Sequence, residues 1–291
     1  MPLVSLAGLT LQRAAQRRGL GAFNVIHLEQ AETFVAAAER AGQPIVLQIS
    51  QNAVAYHRAL APLASGALAV ARSARVPVAV HLDHAESVPL IEEAVRLGFS
   101  SVMYDGARLP FAANVATTAA VVRFCQASGV SVEAELGEVG GKDGAHRPGV
   151  RTDPAEARRF VELTGVDLLA VAVGSSHAMT ERDATLDSGL IGRLAEAVPV
   201  PLVLHGSSGV SDAGMRAAIR AGITKVNVST HLNVIFTRTV RGFLDGNPAV
   251  VDTRKYLRPA VDAIGAEIER LLRWYDDAAA DSPSQPCQNA A

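Results

Sequence analysis

Apolar residues recur along the chain in short, nearly unbroken runs, separated by longer stretches in which they return every three or four positions. The short runs are GAFNV at 21–25, IVLQIS at 45–50, PVAVHLD at 77–83, SSVMYD at 100–105, SVEAELG at 131–137, LLAVAVG at 168–174, PLVLHG at 201–206 and KVNVST at 225–230. Runs of this length suit strands, and the helical-period stretches between them tend to stop at a glycine: Gly42, Gly98, Gly129, Gly165 and Gly222. Strand and helix in alternation imply βαβ units, with parallel strands covered on both faces. Eight such units predict the α/β class and a single (β/α)8 TIM barrel, with an open doubly wound sheet as the alternative.

The polar positions choose between the two. Asn24, Ser50, Asp83, Asp105, Glu135, His205, Asn227 and Thr230 all lie at or near the C-terminal end of a run. A closed barrel gathers those ends at one mouth, the face on which barrel enzymes carry their chemistry. An open sheet would spread them along an edge. The barrel is expected to occupy 1–275, and residues 276–291, DDAAADSPSQPCQNAA, read as a disordered tail because they are small, polar and proline-containing.

Composition narrows the partners. The chain has 291 residues, 49% of them hydrophobic and 19% charged, enough apolar material for one large barrel core. Net charge is −2, from 27 basic and 29 acidic residues with no long single-sign run, which argues against a nucleic-acid groove or a membrane-surface patch. Small molecules and copies of the chain itself are the expected partners. The opening MPLVSLAGLTLQRAAQRR places its arginines after its apolar stretch, the reverse of a secretory signal, so a cytoplasmic location is expected. Cys125 and Cys287 form neither a metal-like pair nor a disulfide framework.

Candidate chemistry lies in the histidines. His84 ends strand three, His177 follows strand six in GSSHA, and His205 ends strand seven in VLHG. One histidine at a strand end is ordinarily a hydrogen-bonding core residue. Three that reach one rim by separate paths, with no cysteine nearby, suit a three-nitrogen zinc site that keeps a position open for substrate. His81 sits deeper and reads as barrel filling, while His27, His57, His146 and His231 read as surface or cap residues. Asp83, beside a candidate ligand, is placed to act as a general base or to orient a histidine. Asp105 and Glu135 could hold a second, looser metal position or hydrogen-bond the ligands. HGSSG at 205–209 and NVST at 227–230 follow strands seven and eight, where barrels commonly cradle phosphate, although a short GSSG alone is an ordinary turn.

HLDH at 81–84, SVMYDG at 101–106, EAELGEVGG at 133–141, VAVGSSH at 171–177, HGSSG at 205–209 and KVNVST at 225–230 also carry a family resemblance. In order and strand position they resemble the class II fructose-bisphosphate and tagatose-bisphosphate aldolases, a likeness that continues to DTRKYL at 252–257. The resemblance implies that His84, His177 and His205 bind a catalytic zinc, that Asp83 is the acid/base on the C4 hydroxyl, and that Asp105 and Glu135 serve an alternative metal position. It implies that Gly174, Gly206, Ser208, Asn227 and Thr230 bind the dihydroxyacetone phosphate half of a ketose, with Asn24, Ser50 and Arg254 on the remainder. It further implies a monovalent cation (Na+ or K+) near that phosphate and a homodimer or homotetramer.

Fructose 1,6-bisphosphate is the first expected substrate, then tagatose 1,6-bisphosphate, then a deoxy-keto acid phosphate. Other aldolases use a Schiff-base lysine, but here Lys142 lies in a glycine-rich loop, Lys225 is expected at the opposite mouth, and Lys255 follows the last strand. A non-catalytic partner subunit is the rival from another class, and the presence of all three histidines and Asp83 speaks against it. The chain departs from the family pattern at Ser207 (commonly glycine), Ala178 (commonly glycine) and Ala107 (commonly serine). The loop GEVGGKDGAHRPGVRTDP at 137–154 is expected to close over substrate. There GGKDG replaces the usual GG-x-E-D, which makes Asp143 the candidate to move the C3 proton and Glu138 the alternative.

Overall fold

In the computed structural model, which describes residues 2–137, 150–177 and 179–279, eight parallel strands close into a barrel in chain order. They are β1 (Leu20–Asn24), β2 (Ile45–Ser50), β3 (Val78–Ala85), β4 (Ser101–Tyr104), β5 (Ser131–Leu136), β6 (Leu168–Val171), β7 (Leu202–Leu204) and β8 (Ile223–Val228). β1 pairs with both β2 and β8, which closes the ring and excludes the open sheet. The expected run at 45–50 is β2 residue for residue, whereas β8 starts two residues before the expected Lys225.

Helices α2 (Leu28–Ala41), α5 (Val88–Leu97), α7 (Pro154–Thr164) and α9 (Asp212–Ala221) each stop at one of the expected glycines. α6 (Phe111–Gln126) ends before Gly129, and α8 (Ser188–Ala197) ends at Val198. Two strands are followed by a pair of helices: α3 (Gln51–His57) and α4 (Ala61–Ser73) after β2, α10 (Thr230–Gly246) and α11 (Thr253–Asp276) after β8. Ser50 explains the first pair, because its hydroxyl accepts from the Ala53 N–H at 3.1 Å and starts a helix directly at the strand end.

The strand period of two divides the apolar residues into two separate bodies. Outward residues such as Phe23, Leu47, Leu82, Val132 and Val226 join the helices in one shell. Inward residues Leu20, Ala22, Val46, Ala79, Leu168, Ala170 and Val203 form a second cluster at the barrel floor, closed by Leu6 and Leu9 of α1 (Leu6–Ala15). One layer higher the inward positions turn polar: Gln48, His81, Ser101, Glu133 and Lys225 are all buried there. The expected tail boundary at 276 falls inside ordered structure, since Asp277–Ala279 form a 3-10 turn with Ala278 buried. Residues 280–291 lie outside the described residues. No helix among the described residues is long and apolar enough to cross a membrane.

Beside the mouth, ion pairs tie α9, α10 and α11 together. Glu267 of α11 accepts from Arg270 at 2.7 Å and from His231 of α10 at 2.8 Å, and Arg270 reaches Asp212 of α9 at 2.8 Å. Burial works to push the Glu267 carboxyl up, but the hydrogen bonds from Arg270 and His231 outweigh it and hold it at about 2 against an ordinary 4.5. A carboxylate depressed in the folded state stabilises the fold above its unfolded pKa and loses that contribution as pH falls through the folded value. The shift corresponds to on the order of 3 kcal/mol at neutral pH. Glu267→Gln is therefore expected to lower the denaturant midpoint at pH 7, with the gap to the parent narrowing between pH 4.5 and 2. A gap of the same size at pH 7 and pH 3 would assign the loss to packing instead of charge.

Candidate active site

The site begins with a break in strand alternation. A regular β3 would point Asp83 into the barrel and His84 away from it. The pairing of β3 with β4 slips between Leu82 and Ala85, and His84 adopts a left-handed backbone with φ of 51°. That conformation costs a non-glycine residue about 1–3 kcal/mol, and here it brings His84 to the same cavity as its neighbour Asp83. The Asp105 carboxylate, just beyond β4, then holds His84 through Nδ1 at 2.8 Å.

His205, at the end of β7, is wholly buried between two carboxylates of β5. Its Nδ1–H donates to Glu135 Oε2 at 2.8 Å and its Nε2–H to Glu133 Oε1 at 3.0 Å. Burial lowers its pKa, but these two hydrogen bonds prevail and raise it to about 9. The two carboxylates thus favour positive charge at this ring, whether a proton or a metal ion supplies it.

His177 is delivered by the loop after β6, which interlocks with the loop after β7. Ser175 Oγ donates to the His205 carbonyl at 2.6 Å. Gly206 has φ of 66°, and a Cβ there would meet the Ser176 carbonyl oxygen at 2.5 Å, so only glycine lets the two loops approach. The three imidazoles converge, with ring centroids 5.1 Å apart for His84 and His177 and 4.6 Å for His84 and His205. Ligand atoms of His84, His177, His205 and Glu135 all lie within 4.8 Å of one another. Three ring nitrogens and a carboxylate oxygen at that spacing fit one divalent metal ion with nitrogen-rich coordination. Asp105 stands outside this group of four and orients His84, the arrangement in which a carboxylate fixes a ligand's ring.

Asp83 is held by donors on both oxygens. Asn24 Nδ2 donates to its Oδ2 at 3.0 Å and Asn227 Nδ2 to its Oδ1 at 3.3 Å. Desolvation pushes its pKa up, but His84, Lys225 and His205 outweigh burial and keep the carboxyl well below the usual carboxylate range. It is ionised and able to accept a proton.

The cavity at the mouth is about 320 Å³ and is lined, among the described residues, entirely by polar side chains and glycine, including Asn24, Ser50, Gly206, Ser208, Asn227 and Thr230. Ligand pockets are usually predominantly apolar, so this lining selects a densely polar ligand. Ser207, where the family commonly has glycine, is buried and its hydroxyl donates to the Asn227 carbonyl, joining the Ser207–Gly209 turn to β8. Ser208 Oγ accepts from the His231 N–H at the start of α10, at 3.0 Å.

Not every expected residue reaches the mouth. Gly174 is not among the residues that line the cavity, and a Cβ there would meet the Thr185 carbonyl oxygen at 2.5 Å. Arg254 sits at the start of α11 with its side chain 88% exposed and paired to Asp252 at 2.9 Å, in the groove between α2 and α11, so one chain alone does not bring it to the ketose. Asp143, Glu138, His146 and Ala178 lie outside the described residues. Lys225 corrects the sequence reading: it is the third residue of β8, its side chain lies inside the barrel, and its Nζ is 2.9 Å from Glu133. Because β8 begins earlier than the apolar run suggested, the lysine sits one layer below the site. His81 fills that same layer, bonded through Nδ1 to Ser101 Oγ at 2.8 Å and driven by burial down to about 3.

Sequence reasoning missed Glu133, Gln48 and Lys225 as parts of the site. The signal was present, since each stands two residues before a residue singled out for the mouth and so shares its inward face. It also missed Gln51 and Asn52, the first residues of α3, and the loop residues Glu86, Arg108 and Ser229 in the cavity lining, because beyond the strand ends the period of two no longer applies.

Comparison with known proteins agrees with this geometry. The family model described as "Fructose-bisphosphate aldolase class-II" matches residues 4–279. A fructose-bisphosphate aldolase of Thermus caldophilus is 39% identical, over 93% of this chain and 97% of its own length. Among solved structures, the YdjI aldolase of Escherichia coli K12 superposes with a TM-score of 0.84 at 30% identity, covering 95% of this chain and 98% of that one. A fructose-bisphosphate aldolase of Campylobacter jejuni shares the fold, with a TM-score of 0.79 at 22% identity over 94% and 95% of the two chains. With eight strands closed, three histidines converging and the match spanning nearly its whole length, this chain belongs to the class II fructose-bisphosphate aldolase family of metal-dependent lyases.

Proposed function

We propose that the chain catalyses the reversible, zinc-dependent cleavage of fructose 1,6-bisphosphate to dihydroxyacetone phosphate and glyceraldehyde 3-phosphate. The observation that carries this reading is an ionised Asp83, held by donors on both oxygens, in an all-polar cavity beside the histidine cluster. His84, His177 and His205 would hold the zinc, with Glu135 adjacent. Bound there, zinc supplies Lewis-acid polarisation of the ketose carbonyl and stabilises the negative charge that appears as the carbon chain breaks.

Asp83 takes the C4 hydroxyl proton. The C4 oxygen then becomes the aldehyde carbonyl, the C3–C4 bond breaks, and its electron pair passes to the C2–C3 unit. A proton returned to C3 completes dihydroxyacetone phosphate, and Asp143, with Glu138 as the alternative, is the residue we assign to that step. Gly206, Ser208 and Thr230, which line the cavity, would bind the phosphate, aided by the N-terminus of α10.

A coupled assay of the purified protein against fructose and tagatose 1,6-bisphosphates, with and without chelator and with Na+ or K+ added, tests the reading. Turnover of the fructose ester that chelator abolishes is expected, with no lysine labelled on borohydride trapping. Faster turnover of the tagatose ester would reassign the substrate, and activity in excess chelator would end the zinc assignment. Sedimentation equilibrium reads the proposed dimer or tetramer.

A further inference from the structure

Lys225 and Glu133 have no part in the reaction as written, yet both are completely buried in the barrel, with Nζ 2.9 Å from the carboxylate. A buried ion pair is a poor device for stability, because well-packed apolar residues of similar volume serve as well or better. The floor of this barrel uses such residues one layer below. The pair must therefore be read by what it touches.

Lys225 touches both halves of the site. On one side it holds Glu133, whose other oxygen takes the His205 Nε2–H at 3.0 Å. With Nε2 bonded to Glu133, Nδ1 is the nitrogen on the side of Glu135, which belongs to the same cluster as His84 and His177, and so the one left for a metal. On the other side Nζ donates to Asn227 Oδ1 at 2.7 Å. An ammonium only donates, so Asn227 must offer it the carbonyl oxygen and turn its amide N–H toward Asp83. A matching amide chain arrives from the opposite side: Gln48 Nε2 donates to Asn24 Oδ1 at 3.0 Å, which aims Asn24 Nδ2 at the other Asp83 oxygen.

We propose that Lys225 is a positioning residue, whose contacts with Glu133 and Asn227 fix which nitrogen His205 offers to the metal and which way Asn227 faces Asp83. The inference rests on the roles given above to His205 and Asp83. It makes the two branches separable: zinc affinity reports the path through Glu133, and kcat at saturating zinc reports the path through Asn227.

In Lys225→Met both quantities are expected to fall, each by on the order of 10- to 100-fold, the usual loss when a partner behind a metal ligand is removed. In Glu133→Gln the zinc affinity falls in the same range. Adding Lys225→Met to Glu133→Gln then leaves zinc affinity unchanged and lowers kcat further. The double variant carries no unpaired buried carboxylate, so it remains informative should the single Lys225 variant fail to fold. Return of kcat and zinc affinity to parental values in the double variant would overturn the proposal, leaving Lys225 as a mere counter-charge.

The unaltered protein gives an independent reading. Long-range proton–nitrogen spectra of the zinc-loaded enzyme are expected to show His205 metallated at Nδ1 with Nε2 protonated, and metallation at Nε2 would also overturn it. A protein in which no histidine responds to zinc would contradict the metal reading itself, an outcome distinct from either of these.

Discussion

Asp83→Asn is expected to keep its metal and to lose cleavage by about 10²- to 10⁴-fold, the range for removing a positioned acid/base. The substitution preserves shape, so the histidine cluster beside it should remain assembled. It removes the proton acceptor and also sets donors against donors. Asn24 and Asn227 both present N–H groups to residue 83, and an amide there can satisfy only one of them with its oxygen. One neighbouring amide must turn, and Lys225 opposes the turn of Asn227. The loss should therefore fall on kcat, with zinc stoichiometry unchanged after gel filtration. Parental turnover in this variant would leave Asp83 an orienting role only.

His205→Ala is expected to lose both metal and turnover, the latter to the detection limit. His205 is one of three converging imidazoles and the only one of them wholly enclosed by protein, with Glu133 and Glu135 on either side. Removing it deletes one of the three nitrogens proposed to bind zinc and leaves Glu133 and Glu135 without the ring they share, so some stability is lost as well. Chelator-stripped parent protein supplies the control: it should be equally inactive, yet recover on adding zinc, whereas the variant should not. A variant that retained stoichiometric zinc at parental affinity would remove His205 from the ligand set.

Much of the fold was legible because a buried parallel strand must be apolar on its outward face whatever the function, and the eight runs mark those faces. The three histidines and Asp83 were legible because they lie where the runs stop. Strand limits were less so: the run at 225–230 starts at Lys225, two residues after β8 itself begins at Ile223, because the polar Thr224 and Lys225, both buried, interrupt the apolar pattern there. For a different reason, the position of Arg254 in the fold was not legible. DTR reads as a motif, but in the folded chain Asp252 caps α11 and accepts from the Arg254 backbone N–H at 3.1 Å, which sets the residue on an outer helix. The left-handed turn at His84 left no sign in the sequence, since HLDH carries no glycine there.

The division of apolar residues between an outer shell and a floor plugged by α1 also bears on how such an enzyme can change over generations. Neither cluster includes a residue of the mouth. Replacing Asn52, Glu86 or Arg108 therefore alters the outline offered to a sugar without removing a packing partner from the body that keeps the barrel folded. Most single steps in that rim are tolerable to the fold before they are useful to the chemistry. Substrate range can drift there under selection, and laboratory evolution toward other aldehydes has its natural starting library at those three positions.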